Sequence, residues 1–214
     1  MVEDILHDLI ARYPSVSELY DELYVAYDLI CSCYDAGGKL LLCGNGGSAA
    51  DCDHIVGELM KGFKLQRKLQ SQDRGYFEDL DYAAGLADRL QGGLPAISLC
   101  TQGALMTAYA NDVDPEMIFA QQVWVYGKNS PDLLIALSTS GNSANVLRAV
   151  ETANALGLDS IGITGAKGGR LKELCTACIC LPETETYKVQ ELTLPVYHAL
   201  CAAVEHNYFG AQNI

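Results

Sequence analysis

Lys39-Leu40-Leu41-Leu42-Cys43-Gly44-Asn45-Gly46-Gly47-Ser48-Ala49-Ala50-Asp51-Cys52-Asp53-His54-Ile55-Val56-Gly57-Glu58 decides how the chain folds. An apolar run of strand length enters a Gly-rich turn, and polar and apolar residues then follow at helical spacing. That order is strand, anion-cradling loop and helix start. The glycines let the backbone approach a ligand closely, and Ser48 offers a hydroxyl beside the free N–H groups of the first helical turn. The same turn also serves as a plain strand-to-helix connection, so the loop alone assigns no ligand. His54 and Glu58, four residues apart, share one helix face. This spacing can join a metal ligand to a base, although most such pairs mark a solvated face.

Upstream, Val2 to Arg12 places apolar pairs at helical period and stops before Pro14. Ser15-Val16-Ser17-Glu18 has the pattern of a capping box, and Leu19, Leu23, Tyr27, Ile30 and Tyr34 make one stripe that ends at Gly37-Gly38. These N-terminal helices, within residues 1–36, are expected to pack away from the sheet centre, in an interface between subunits. Downstream, residues 64–92 read as a helical insertion, with a break at Ser71 to Gly75 and a modest helix from Tyr76 to Leu90. Strands are expected at Pro95–Leu99, Leu133–Leu137, Ser160–Thr164 and Ala177–Leu181. The third strand of the chain, Leu133–Leu137, runs straight into Ser138-Thr139-Ser140-Gly141-Asn142-Ser143. Four hydroxyls after a strand and before a helix make a second anion loop. The last helix, Tyr187 to Tyr208, carries Gln190 and His198 and is interrupted by Pro195, which removes one backbone hydrogen bond. Alternating strands and helices predict an α/β three-layer sandwich, with a central parallel sheet flanked by helices. Both loops then lie beyond the carboxyl ends of the strands, where such sheets bind ligands.

The chain has 214 residues, half of them hydrophobic, enough for one domain over 1–214 without staples. No apolar block reaches bilayer length, and the acidic start Val2-Glu3-Asp4 lacks a basic leader, so no membrane contact and a cytoplasmic location are expected. A net charge of −13 with 14 dispersed Lys and Arg excludes a nucleic-acid surface. A negatively charged ligand must therefore be held by amides and hydroxyls. The nine cysteines stand mostly where aliphatic residues would serve and read as reduced thiols. Cys175-x-x-Cys178 with Cys180 lacks the second pair that a zinc ribbon needs.

With Gly44-Asn45-Gly46-Gly47-Ser48 and Ser138-Thr139-Ser140-Gly141-Asn142-Ser143 in hand, the chain resembles the sugar-isomerase (SIS) domain family, and within it the phosphoheptose isomerases. The resemblance runs from about Lys39 to the C-terminal helix. It implies an aldose–ketose isomerase that converts sedoheptulose 7-phosphate into a manno-heptose 7-phosphate, assembled as a homotetramer. It implies zinc, at partial occupancy, on His54, Glu58, Gln190 and His198, with Glu58 as base and His198 as acid. It also implies substrate contacts at Asn45, Gly46, Gly47, Ser48, Asn111, Asp112, Ser138, Thr139, Ser140, Ser143 and Gln190. Non-enzymatic relatives that bind a replication initiator lack the Glu and the final His, while other SIS domains are sugar-phosphate sensors. Tyr187 stands where the isomerases often carry Asp, which leaves another phosphosugar as an alternative substrate. Gln190 and His198 point roughly 80 degrees apart on a straight helix, so their convergence does not follow from spacing.

Overall fold

The computed structural model describes residues 2–80 and 85–210. Five strands, β1 (Leu40–Cys43), β2 (Ala96–Ser98), β3 (Leu133–Leu137), β4 (Ser160–Gly165) and β5 (Ala177–Leu181), form one parallel sheet in the order β2-β1-β3-β4-β5. Strands covered on both faces must be apolar at every position, and β1 and β3 are buried throughout. Leu40 pairs with Leu133 and Leu42 with Ile135, in a register anchored below by Asp132. That buried carboxylate accepts from the Lys39 amide at 3.0 Å, the Lys39 ammonium at 2.5 Å and the Ser130 hydroxyl at 2.6 Å.

Alternation along each strand sends side chains into two cores. On one face Leu40, Leu42, Ile135, Ile161 and Ile163 pack against α1 (Val2–Arg12), α2 (Tyr20–Asp35), α3 (Gly47–Met60) and α9 (Thr186–Phe209). On the other, Leu41, Leu134 and Ala136 meet α6 (Ile118–Gly127), α7 (Ala144–Leu156) and α8 (Gly169–Leu174). Each fully buried Leu contributes about 1.5–3 kcal/mol. The sheet, the two helical layers and the strand positions agree with the sequence reading.

The differences are local. Ser15 to Glu18 forms no capping box; it lies in a 3-10 turn, Pro14–Leu19, and α2 begins at Tyr20. Leu6, Leu9, Leu23, Ala26 and Ile30 are buried in the chain's own core, while Leu19, Tyr27 and Tyr34 of the predicted stripe are half-buried against it. In the 64–92 segment the expected break is itself a short helix, α4 (Ser71–Arg74). Among the described residues the expected helix over 76–90 reduces to one 3-10 turn, Gly75–Phe77, and residues 81–84 lie outside the description. An Asp-rich stretch with few core-facing residues has too little apolar area to bury. Helix α9 runs without a break through Pro195. Helix α5 (Gly103–Asp112) follows β2 and buries no residue fully.

Candidate active site

The Gly-rich loop ends β1 and opens α3, with Ser48 buried beside Gly44. At Gly47 a Cβ would come within 2.6 Å of the Gln190 amide nitrogen. Glycine here is what lets α9 bring Gln190 down onto the loop. The second loop closes on itself: the hydroxyls of Ser138 and Ser143 lie 2.9 Å apart, with Ser140 at 3.5 Å from Ser138. The Ser140 hydroxyl also accepts from the Asn142 amide at 3.1 Å. Gly141 has φ +66° and sits so close to Gly168 that a Cβ would meet its carbonyl oxygen at 2.0 Å. The Thr139 carbonyl accepts from the Gly165 amide at 3.1 Å, so the β4 turn braces the loop from behind.

A pair of reciprocal amide bonds makes the two loops one site. Asn45 donates to Asn145 at 2.8 Å, and Asn145 donates back to Asn45 at 2.9 Å. Asn145 was not singled out from the sequence, because an Asn in the first turn of a helix reads as ordinary capping chemistry. Asn111 and Asp112 are exposed at the end of α5, joined to each other by a 2.8 Å bond. Tyr187 is 55% exposed in the first turn of α9.

The titratable candidates gather further down α3 and α9. His54 Nε2 lies 3.0 Å from one Glu58 oxygen, and Lys61 Nζ lies 2.9 Å from the other. A carboxylate only accepts, so Nε2 carries a proton, while Nδ1 lies 2.8 Å from the Tyr197 hydroxyl, which also donates to Asp51 at 3.4 Å. Burial raises the Glu58 carboxyl, but Lys61 and His54 outweigh it and hold the group below its ordinary range. The His198 ring stands edge-on to His54 with centroids 5.0 Å apart, and 5.3 Å from Phe63. Its Nε2 is buried without a hydrogen-bond partner. Burial first, then the charge of His54, draws His198 below the usual imidazole value. His198 also lines a cavity of about 600 Å³ beside Asp8, Arg12, Phe63 and Lys64. Tyr197 escaped the sequence reading because a buried aromatic on a core helix is normally only core.

Zinc binds imidazole nitrogen and carboxylate oxygen, and His54, Glu58 and His198 supply those donors side by side, with one nitrogen still unpartnered. In kind, the residues fit the metal. The fourth expected donor does not join them in the single chain: Gln190 rests on Gly47, eight residues or about 12 Å of helix from His198. Among the described residues no three His, Cys, Asp or Glu side chains stand at metal-holding spacing.

The model of the SIS domain family matches residues 7–72 and 78–165. A phosphoheptose isomerase of Burkholderia pseudomallei is 40% identical over 176 residues, covering 82% of this chain and 77% of the relative. One from a Nitratiruptor species is 35% identical over 212 residues, 97% of this chain and all of the relative. The solved phosphoheptose isomerase of Francisella tularensis superposes with a TM-score of 0.75 at 29% identity, over 92% of this chain and 91% of that one. With both anion loops and the His–Glu–His cluster in place, these likenesses put the chain in the SIS domain family, among the phosphoheptose isomerases.

Proposed function

We propose that the chain converts sedoheptulose 7-phosphate into D-glycero-D-manno-heptose 7-phosphate by proton transfer through an enediol. The observation that carries this reading is the meeting of Glu58 and His198 around His54. A carboxylate held ionised by two hydrogen bonds stands beside a buried imidazole nitrogen that lacks a partner. Turning a 2-ketose into an aldose moves one proton from carbon 1 to carbon 2, and one from the oxygen on carbon 1 to that on carbon 2. Glu58 makes the first transfer and His198 the second. His198 suits this task because its surroundings keep the ring neutral near pH 7, with one N–H to give and one lone pair to receive. Ser138, Thr139, Ser140 and Ser143 hold the phosphate with the amides of Asn45, Gly46 and Gly47 and the Ser48 hydroxyl, and Gln190, Asn111 and Asp112 serve the sugar hydroxyls. Zinc, when bound, would take His54, Glu58 and His198 with Gln190 from the loops of another copy, and would supply a Lewis acid at the carbonyl oxygen.

Distance supports a site shared between copies of the chain. Eleven residues of α3 separate Gly47 from Glu58, about 16 Å along the axis. A seven-carbon chain with single bonds of about 1.5 Å extends only about 10 Å from carbon 1 to phosphorus. The loops of one copy therefore work with the Glu58 and His198 of another, in a homo-oligomer for which we propose a tetramer. Nine free thiols support a reducing compartment, the cytoplasm. The reading is tested with Glu58→Gln and His198→Asn: each is expected to lose roughly 10²–10⁴-fold in turnover while phosphate affinity is kept. Parental turnover in both variants removes these residues from the reaction.

A further inference from the structure

We infer that Arg67 is a positioning residue for proton transfer, resting on the isomerase reading above: it locks the end of α3, which carries Glu58, to α9, which carries His198. The side chain is fully buried in a segment whose neighbours Gln66 and Lys68 are exposed. A guanidinium is costly to bury unless its donors are used, and here each of its three nitrogens donates to one of two helices. Its Nη2 donates to the Glu58 carbonyl at 3.0 Å and its Nη1 to the Leu59 carbonyl at 2.5 Å, capping the last turn of α3. Its Nε donates to Glu205 of α9 at 2.8 Å, and the Phe209 ring of the same helix lies under the guanidinium at 4.7 Å.

Glu205 completes the lock. Its two oxygens also accept the amides of Phe63, Lys64 and Leu65 at 2.8, 2.8 and 3.2 Å. The strap so held places the Phe63 ring against His198. One buried pair thus fixes the backbone of Glu58 directly and the ring of His198 through Phe63. Neither residue touches the substrate in this account. A catalytic pair must be set to within a fraction of an ångström, and an error of about 1 Å introduced from afar costs about 10²-fold in rate.

Replacing both partners by apolar residues of similar size avoids a lone buried charge but strands the Glu58 and Leu59 carbonyls and the amides of Phe63, Lys64 and Leu65, so stability and kcat are read separately: a purely structural pair moves the first alone. The experiment measures melting temperature, turnover and KM on sedoheptulose 7-phosphate, and inorganic phosphate affinity, for the parent, Arg67→Lys and Arg67→Met/Glu205→Leu. We expect the double variant to melt lower than the parent yet stay folded at the assay temperature, with phosphate affinity and KM within about threefold of the parent and kcat lower by about 10²-fold. Arg67→Lys keeps the charge but not the fork, and its kcat should fall with KM unchanged. A folded double variant with kcat within about twofold of the parent overturns the inference, as does failure of both variants to fold, which would make Arg67 a folding residue. A parent inert toward the sugar phosphate overturns the isomerase reading itself, and this inference with it.

Discussion

Ser138 and Ser143 face each other at 2.9 Å with no side-chain cation between them, so each should carry a measurable share of an anion's binding. Ser138→Ala or Ser143→Ala is expected to weaken sugar-phosphate affinity by about 0.5–1.5 kcal/mol, up to about 3 kcal/mol for a charge-assisted bond. Titration calorimetry reads this directly, and unchanged affinity in both variants takes the phosphate away from this loop. Cys100 gives a pH-dependent signature at the same scale. The Cys52 thiol's hydrogen bond, against opposing partial burial, draws Cys100 down to about 7, whereas burial pushes Cys33 and Cys201 up to about 12. Since the thiolate is the nucleophile, alkylation of Cys100 by iodoacetamide should rise with pH through about 7 and level off above it. The sign for stability follows from the same depression. The unfolded thiol holds its proton to higher pH, so this group adds stability as pH rises through about 7 toward the ordinary thiol value of 9.0. Mass spectrometry of the labelled peptides decides it: a midpoint near that ordinary value would contradict the Cys52 contact.

The helix–loop corners are where elements depend on single residues. Gly141→Ala forces a side chain into φ +66° and against the Gly168 carbonyl, so the Ser loop must shift. A left-handed conformation alone costs a non-glycine residue about 1–2 kcal/mol. The variant is expected to melt lower and to bind phosphate less tightly, and parental values for both would show that the β4 turn does not brace the loop. These corners were also what the sequence displayed best. The runs Leu40–Cys43 and Leu133–Leu137 have strand length and lead straight into the Gly- and Ser-rich turns, and so read as buried strands feeding the two loops. Where the reading failed, residue type misleads. Arg67, in a polar stretch, looks solvated but is wholly buried, because Glu205 lies 138 residues away in sequence and nothing local reveals it. Asn145 and Tyr197 are hidden for the same reason, each taking its meaning from a partner on another element. The segment from 64 to 92 carries too little apolar periodicity to declare its short turns.

At the scale of the molecule, the proposed site divides into two halves, the anion loops at the start of α3 and the proton-transfer groups near its end. Mixing Ser138→Ala/Ser143→Ala protein, slow at substrate levels below its weakened affinity, with Glu58→Gln protein should raise activity above the sum of the two in mixed oligomers, since each variant damages a different half-site. Light scattering should report an oligomer, and a stable 23.1 kDa monomer with full turnover would contradict sharing. The exposed Tyr24, Val25, Trp124 and Val125 leave apolar surface for such contacts. Proton transfer at carbons 1 and 2 of sedoheptulose 7-phosphate is measured by incubating the protein with that sugar and with other ketose phosphates in deuterated water and following carbon 2 by NMR. Aldose product with deuterium at carbon 2 is expected from sedoheptulose 7-phosphate, and that label is lost in Glu58→Gln. Binding of the sugar phosphate with no label and no product would contradict it and make the chain a sensor.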